Sequence, residues 1–264
     1  MRILKRNKMS STKEVIFIVQ EEKVEEFRNL IDELELNFND KLYFKFNYLY
    51  SIEKWKLKQQ KDLEEAQALI EKERKVAVAF NSDNLVIITK FFWEKCKDEQ
   101  ICIILHELGH IKYPLIKVCT FLTLNNGQNC AKEFLADSFI KEVSSQLMSN
   151  RFKFWFKRFE DSFKIDDYKN NFDSDEFDAL ILNYFNLCYF KKLTNSDKIE
   201  KPKKAIENKL MEWGLSNEDI QKITEHINNY LESFCDWKSG ENLKKFLEEI
   251  ESKLLSENTI SIAK

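Results

Sequence analysis

The stretch that decides how this chain is interpreted is His106-Glu107-Leu108-Gly109-His110, which follows an apolar run. On an α-helix, residues four apart lie one turn apart on the same face. That spacing allows both imidazole rings to bind one Zn²⁺, and it places Glu107 within reach of a water on the metal. The chain has three histidines, and this motif uses two of them. The pattern therefore predicts a catalytic metal site.

The composition favours a mostly helical protein. The chain has 264 residues, of which 43% are hydrophobic, so it is long enough for one large domain or two modest domains. Only four glycines and two prolines are present, which disfavours an all-β fold with many tight turns. The scarcity of glycine also argues against a phosphate-binding loop, and the net charge of −3 provides no basic field for nucleic acid.

The cysteines and apolar runs indicate the cellular compartment of the protein. The six cysteines are scattered and form no C-x-x-C pair, which is typical of reduced thiols in an intracellular protein. The basic N-terminus has no apolar signal-peptide core. The longest apolar run, near residues 115–124, includes Lys117 and is too short to span a bilayer. We therefore expect a cytoplasmic protein with no membrane segment and no bound nucleotide.

The first half of the chain has the pattern of a mixed α and β structure. Residues 1–13 are predicted to be a disordered leader. Apolar spacing then predicts strands at 15–19 and 42–50, a hairpin over 76–89, and helices over 21–37 and 52–75.

Two further helices are expected to carry the candidate site. The motif helix has Asp98 as its predicted N-cap, and Pro114 ends it soon after the second histidine. Ile101, Leu105 and Leu108 predict an apolar stripe on this helix, away from the histidines. A loop is predicted at 125–127, followed by a second helix over about 128–148.

Beyond residue 150 the sequence predicts amphipathic helices and no strand. The predicted helices cover 151–164, 175–193, 202–213, 217–237 and 241–256. This change in pattern predicts an α+β domain over 14–150 and a helical C-terminal domain over 151–264.

A catalytic zinc takes three protein ligands, so the histidine pair needs a third. Glu133 and Asp137 are four residues apart on the second helix and share one of its faces. We assign Glu133 as the ligand, and Asp137 is then placed to accept the free ring N–H of His106 or His110. Two alternatives stay open: Asp137 as the ligand, and a thiolate ligand from Cys130, one turn before Glu133.

The two motifs together, His106-Glu107-x-x-His110 and Glu133-x-x-Ala136-Asp137, resemble those of the gluzincin metallopeptidases. The second motif is similar to the third-ligand helix of the HtpX and CAAX-prenyl-protease type. The short gap between the motifs and the chain length are more similar to the ImmA/IrrE-type peptidases. The matched region covers about residues 76–148. The chain has no predicted transmembrane helix, which excludes the membrane-protease form, and no helix-turn-helix is evident in 151–264.

The resemblance implies a zincin-like (minigluzincin) fold with a small mixed sheet, and a zinc-dependent endopeptidase that cleaves an intracellular protein, such as a regulator or repressor. His106, His110 and Glu133 would hold Zn²⁺, which lowers the pKa of its bound water. Glu107 would be the general base. One arm of the 76–89 hairpin would hold the substrate as an added strand. The helical region would recruit the substrate or regulate the enzyme.

Several other residues have both a structural and a functional interpretation. Gly109 is either a tolerated helix glycine or a point of close approach to the substrate. Tyr113, Tyr168 and His226 are expected to be structural, with donation to an oxyanion as the alternative. The aromatic and basic segment 151–158 predicts an amphipathic helix, with binding of single-stranded nucleic acid as the alternative.

These interpretations leave three classes of function. The first is a zinc endopeptidase with Glu107 as its catalytic residue. The second is a catalytically idle zinc-binding regulator whose helical region binds a partner. The third is a nucleic-acid-associated protein that uses the segment 151–158, which the overall charge disfavours.

Overall fold

The computed structural model describes residues 13–38, 41–42, 44–49, 75–80, 84–113 and 126–262. Within these residues the chain is mostly helical and has a small mixed sheet, which confirms the predicted α+β class. The strands are β1 (Lys13–Ile18), β2 (Phe44–Leu49), β3 (Ala77–Phe80) and β4 (Leu85–Ile88). The helices are α1 (Val24–Phe38), α2 (Lys97–Lys112), α3 (Asn126–Val143), α4 (Ser145–Ser162), α5 (Ser174–Thr194), α6 (Glu200–Glu212), α7 (Asn217–Glu232) and α8 (Trp237–Ile262).

The described strands form a four-stranded sheet in the order β2-β1-β4-β3. β1 is parallel to both of its neighbours, and β3 pairs with β4 in antiparallel fashion, which confirms the predicted hairpin. Asn84, just before β4, has a φ of 50°, a conformation that asparagine tolerates better than most residues. In this order β3 lies at an edge of the sheet.

The sheet and α1 share an aromatic core. The buried residues of α1 recur at helical spacing, as the sequence predicted: Val24, Phe27, Leu30, Ile31 and Leu34. Phe17 of β1 and Phe27 of α1 are fully buried, and their ring centroids lie 4.9 Å apart. The burial of this apolar face therefore holds α1 on the sheet.

α2 is buried along most of its length. Every residue from Gln100 to Gly109 is buried. The predicted apolar stripe of Ile101, Leu105 and Leu108 is therefore buried, and burial also extends to the rest of the helix surface over this range. The predicted N-cap is wrong. Cys96 occupies that position. The exposed Asp98 lies in the first turn, where its negative charge interacts favourably with the helix dipole and stabilises the helix. At the other end, Lys13 Nζ donates to the Ile111 carbonyl at 2.8 Å.

The predicted helix over 128–148 is two helices, divided at Ser144. The Ser144 hydroxyl accepts a hydrogen bond from the Leu147 amide at 3.3 Å, so it caps α4 instead of continuing α3. Lys41 Nζ donates to the Val143 carbonyl at 2.7 Å and satisfies the end of α3. α3 begins at Asn126, so part of the predicted 125–127 loop is helical.

The helices predicted beyond residue 150 are present, and residues 150–262 contain no strand. Gly214, with a φ of 114°, follows α6, where a residue with a side chain would be strained. α7 ends at Glu232, five residues before the predicted end, because Phe234 and Cys235 adopt left-handed backbone conformations with φ of 55° and 58°.

The chain divides into two compact units. The first contains the sheet, α1, α2 and residues 139–147, and the second contains residues 126–138 of α3 and all residues from Met148 onwards. α3 is continuous across this division. The predicted domains, 14–150 and 151–264, stay a prediction. Residues 1–12 of the predicted leader and most of the predicted 52–75 helix lie outside the described residues, and Lys13 is the first residue of β1.

Candidate metal site

The two histidines of the motif face each other across one turn of α2. The Nε2 atoms of His106 and His110 lie 3.1 Å apart, and their ring planes are inclined at 83°. His106 is 5% exposed, and His110 is half-buried. Two nitrogen ligands at tetrahedral positions 2.0–2.1 Å from one zinc ion would lie about 3.3 Å apart. The spacing of these nitrogens therefore fits shared binding of one ion.

Glu133 of α3 completes a three-residue group with this pair. A ligand atom from each of His106, His110 and Glu133 lies within 4.8 Å of the others. Glu133 is half-buried. Two imidazoles and one carboxylate are a donor set that zinc takes in catalytic sites, where a fourth position is kept for water. The structure thus brings together the three residues predicted as ligands, and they could hold a metal ion.

Glu107, the predicted general base, lies beside His106 in the sequence and is 7% exposed. Its carboxyl group is therefore largely shielded from bulk water. Shielding of this kind favours proton exchange with a nearby reactant over exchange with solvent. Glu107 lies on the same helix as the two histidines, so this helix fixes its position relative to both of them.

Asp137, predicted to support a histidine ring, is fully buried and has two other polar partners. Arg151 Nε donates to its Oδ1 at 3.1 Å, and the Tyr189 hydroxyl donates to its Oδ2 at 3.4 Å. A buried carboxylate needs such partners because it has lost its hydration. The hydrogen bond from His106 or His110 to Asp137 stays a prediction.

Sequence reasoning missed the two partners of Asp137. Arg151 begins the aromatic and basic segment, for which the sequence predicted an amphipathic helix and no specific role for Arg151. Burial acts to lower the pKa of Arg151, but the acidic groups around it, led by Asp137 and including Glu133, outweigh that effect and raise the pKa. The guanidinium group is therefore a fixed positive charge near both carboxylates.

Tyr113 has a structural partner. Its hydroxyl donates to Glu142 of α3, and Lys112 forms an ion pair with the same carboxylate. Burial and the Glu142 hydrogen bond raise the pKa of Tyr113 above its ordinary value. These contacts connect the end of α2 to the end of α3, which supports the structural interpretation of Tyr113.

Tyr168 and His226 are also engaged in packing or hydrogen bonding. The His226 ring stacks on Phe246 with centroids 4.4 Å apart and planes at 15°. The Tyr168 hydroxyl accepts a hydrogen bond from Asn183 at 3.1 Å, beside a surface cleft that contains none of the three candidate ligands. Both observations favour the structural interpretation. Cys130 lies on α3, but its side chain is outside the described part of the structure.

The segment 151–158 lies within α4 and carries most of its aromatic residues. Phe152 and Phe156 are buried, and the Trp155 ring lies 4.3 Å from that of Phe190. Lys153 and other cations of the segment are exposed. This distribution is that of an amphipathic helix, and rings packed in this way are not available to stack on nucleic-acid bases.

The comparisons add no relative to this description. Neither protein-family models, nor curated proteins, nor solved structures give a match for this chain. In the described part of the chain, no helix has both the length and the apolar character needed to cross a membrane. Fold and site together define an α+β protein with a possible metal site built from two histidines and a glutamate.

Proposed function

We propose that this protein is a zinc-dependent endopeptidase that cleaves an intracellular protein, such as a regulator or repressor. The observation that carries the proposal is the grouping of His106, His110 and Glu133 within 4.8 Å, with the buried Glu107 on the same helix as the two histidines. A metal-binding group without a neighbouring carboxylate would lack a base. Here the motif supplies both.

The roles of the residues follow from their chemistry. His106, His110 and Glu133 would hold the ion, the histidines as neutral imidazoles and the glutamate as a carboxylate. When bound, Zn²⁺ lowers the pKa of a coordinated water to about 7 and polarises the substrate carbonyl. Glu107 accepts a proton from the attacking water and transfers it to the departing amine nitrogen. The products are a new carboxyl terminus and a new amino terminus.

The edge strand β3 is the proposed binding place for the substrate backbone. β3 pairs with β4 on one side, lies at the edge of the described sheet, and packs against α2, the helix that carries the histidines. An extended peptide can add to such an edge through main-chain hydrogen bonds. The substrate would then run beside the ligand helix, which is where its scissile bond must lie.

Replacement of Glu107 by glutamine tests the proposal. Glu107→Gln keeps the size of the side chain and removes the base, so zinc content should be unchanged while cleavage falls by about 10²- to 10⁴-fold. New protein N-termini should be compared by mass spectrometry in cells that express the wild type or the variant. Zinc content of the purified proteins should be measured in parallel.

Asp98→Asn is the matched control, because it makes the same chemical change at an exposed position on the same helix. The control should give the cleavage pattern of the wild type. If Glu107→Gln binds zinc and gives the same N-termini as the wild type, the peptidase proposal fails and the zinc-binding regulator becomes the better explanation.

A further inference from the structure

Asp137 lies one helical turn after Glu133 on α3, and the two carboxylates share a face. Glu133 belongs to the candidate metal group, whereas the fully buried Asp137 is bound by Arg151 and Tyr189. Arg151 is the first residue of the aromatic and basic segment, and its side chain is 17% exposed. A charged side chain this poorly hydrated needs a specific counter-charge.

The electrostatics of this arrangement require a cation. Two carboxylates at i and i+4 on one helix repel each other, and the repulsion is stronger away from water. Both Asp137 and Glu133 act on the Arg151 guanidinium. Arg151 therefore compensates the pair, and its Nε contact also fixes the position of the Asp137 carboxylate.

We propose that Arg151 is a positioning residue of the metal site, which holds the α3 turn carrying Glu133 through its bond to Asp137. Tyr189 of α5 supports the other oxygen of the same carboxylate. This inference rests on the proposed zinc site and gives the C-terminal helices a second role, because α4 and α5 supply the supports of the third ligand. Mutation of residues that orient metal ligands in this way typically weakens metal affinity by about 10- to 100-fold.

The role of Arg151 in positioning can be distinguished from a simple effect of its charge. Removal of a nearby positive charge would by Coulomb's law make the site more attractive to a divalent cation. Loss of positioning would make it less attractive, because the ligand carboxylate is no longer held. The two explanations therefore predict changes of opposite sign in zinc affinity.

Zinc affinity of the full chain, measured by competition with a fluorescent chelator, provides the test. We expect Arg151→Met to weaken Zn²⁺ binding by about 10- to 100-fold. Arg151→Lys keeps the charge but lacks the planar guanidinium, so it should recover part of the affinity. Arg158→Met is the control, because it removes an exposed cation two turns further along the same helix, and it should change the affinity by less than about twofold.

Tyr189→Phe provides a second route that does not alter charge. It removes only the hydroxyl that binds Asp137 and keeps the buried ring, which packs beside Phe134 with centroids 5.9 Å apart. We expect a loss of zinc affinity of about three- to tenfold, smaller than that of Arg151→Met. This variant carries the test if Arg151→Met does not fold.

Zinc binding at wild-type strength or tighter in folded Arg151→Met overturns the inference, and so does an unchanged affinity in Tyr189→Phe if Arg151→Met is unfolded. The affinity measurements are independent of cleavage. If the predicted ranking is observed but Glu107→Gln leaves cleavage products unchanged, the peptidase proposal fails and the role of Arg151 stands. If the wild type binds no zinc, both fail.

Discussion

The two helices that carry the candidate ligands acquire their geometry in different ways. On α2, the spacing of His106 and His110 within a single helix places their Nε2 atoms 3.1 Å apart. On α3, Asp137, one turn after Glu133, is bound by Arg151 and Tyr189, which follow it by 14 and 52 positions. The first arrangement is local, and the second depends on tertiary structure.

This difference predicts how each half of the site responds to change. A local ligand pair is lost only when a ligand itself is removed or the helix unfolds. A ligand that depends on distant supports is weakened by changes at positions that never touch the metal. His110→Ala and Glu133→Gln test the two helices separately, and Arg151→Met tests the link between α3 and its supports.

The largest effect should come from the local pair. His110→Ala removes one imidazole and should reduce Zn²⁺ affinity by at least about a hundredfold, because each ligand carries a large share of the binding free energy. The measurement is chelator competition combined with zinc content after gel filtration. His226→Ala, which removes the histidine stacked on Phe246, should retain full zinc content. Equal zinc content in both variants would contradict the assignment.

Glu133→Gln should have the next largest effect. It replaces a charged ligand by a neutral amide of the same size, and we expect zinc affinity to fall by about 10- to 100-fold. Glu142→Gln is the control on the same helix, outside the group of three ligand residues. If Glu133→Gln binds zinc as the wild type does, Glu133 is not a ligand, and the alternative with Asp137 as ligand is favoured.

The smallest effect should come from a helix cap that carries no ligand. Asp219 forms the capping box of α7 with Ser216 and an ion pair with Lys253 at 2.9 Å. Burial acts to raise the pKa of Asp219, but hydrogen bonds from Ser216 and Lys253 outweigh it and lower the pKa from 3.8 to about 2. Because the pKa is lower in the folded state, this stabilisation is complete above about pH 4 and lost as the pH falls through about 2.

Asp219→Asn should therefore lower the free energy of unfolding by about 1 kcal/mol at neutral pH. The difference from the wild type should narrow in urea unfolding experiments as the pH is lowered from 4 towards 2. Zinc affinity should not change. A stability difference that is constant with pH would show that the Asp219 charge does not stabilise α7.

Much of the fold was predictable because it follows from local patterns. The spacing of Phe27 and Ile31 predicted α1, and the apolar runs around the Asn84 turn predicted the β3–β4 hairpin. The break at Ser144 was missed because a serine that caps a new helix cannot be distinguished in sequence from one within a helix. The burial of Ile101, Leu105 and Leu108 on α2 was predicted, but the burial of the other residues from Gln100 to Gly109 was not, because their spacing gives no such signal.

The site divides in the same way. The grouping of His106, His110 and Glu133 was expected from two short motifs, each with helical spacing. Arg151 and Tyr189 could not have been found by spacing, since they contact Asp137 only after α4 and α5 have packed. The sequence does show an acidic residue, Asp137, one turn after the predicted ligand, but only its burial in the structure shows that it requires a cation or hydroxyl partner.

X-ray absorption at the zinc edge of the purified, zinc-loaded protein tests the central claim most directly. The account predicts one zinc per chain with nitrogen and oxygen neighbours only, two of them imidazole nitrogens at about 2.0–2.1 Å. In His110→Ala the imidazole contribution should fall by half or the metal should be lost. A sulfur neighbour at about 2.3 Å, or a wild-type protein that retains no zinc, would contradict the assignment of His106, His110 and Glu133.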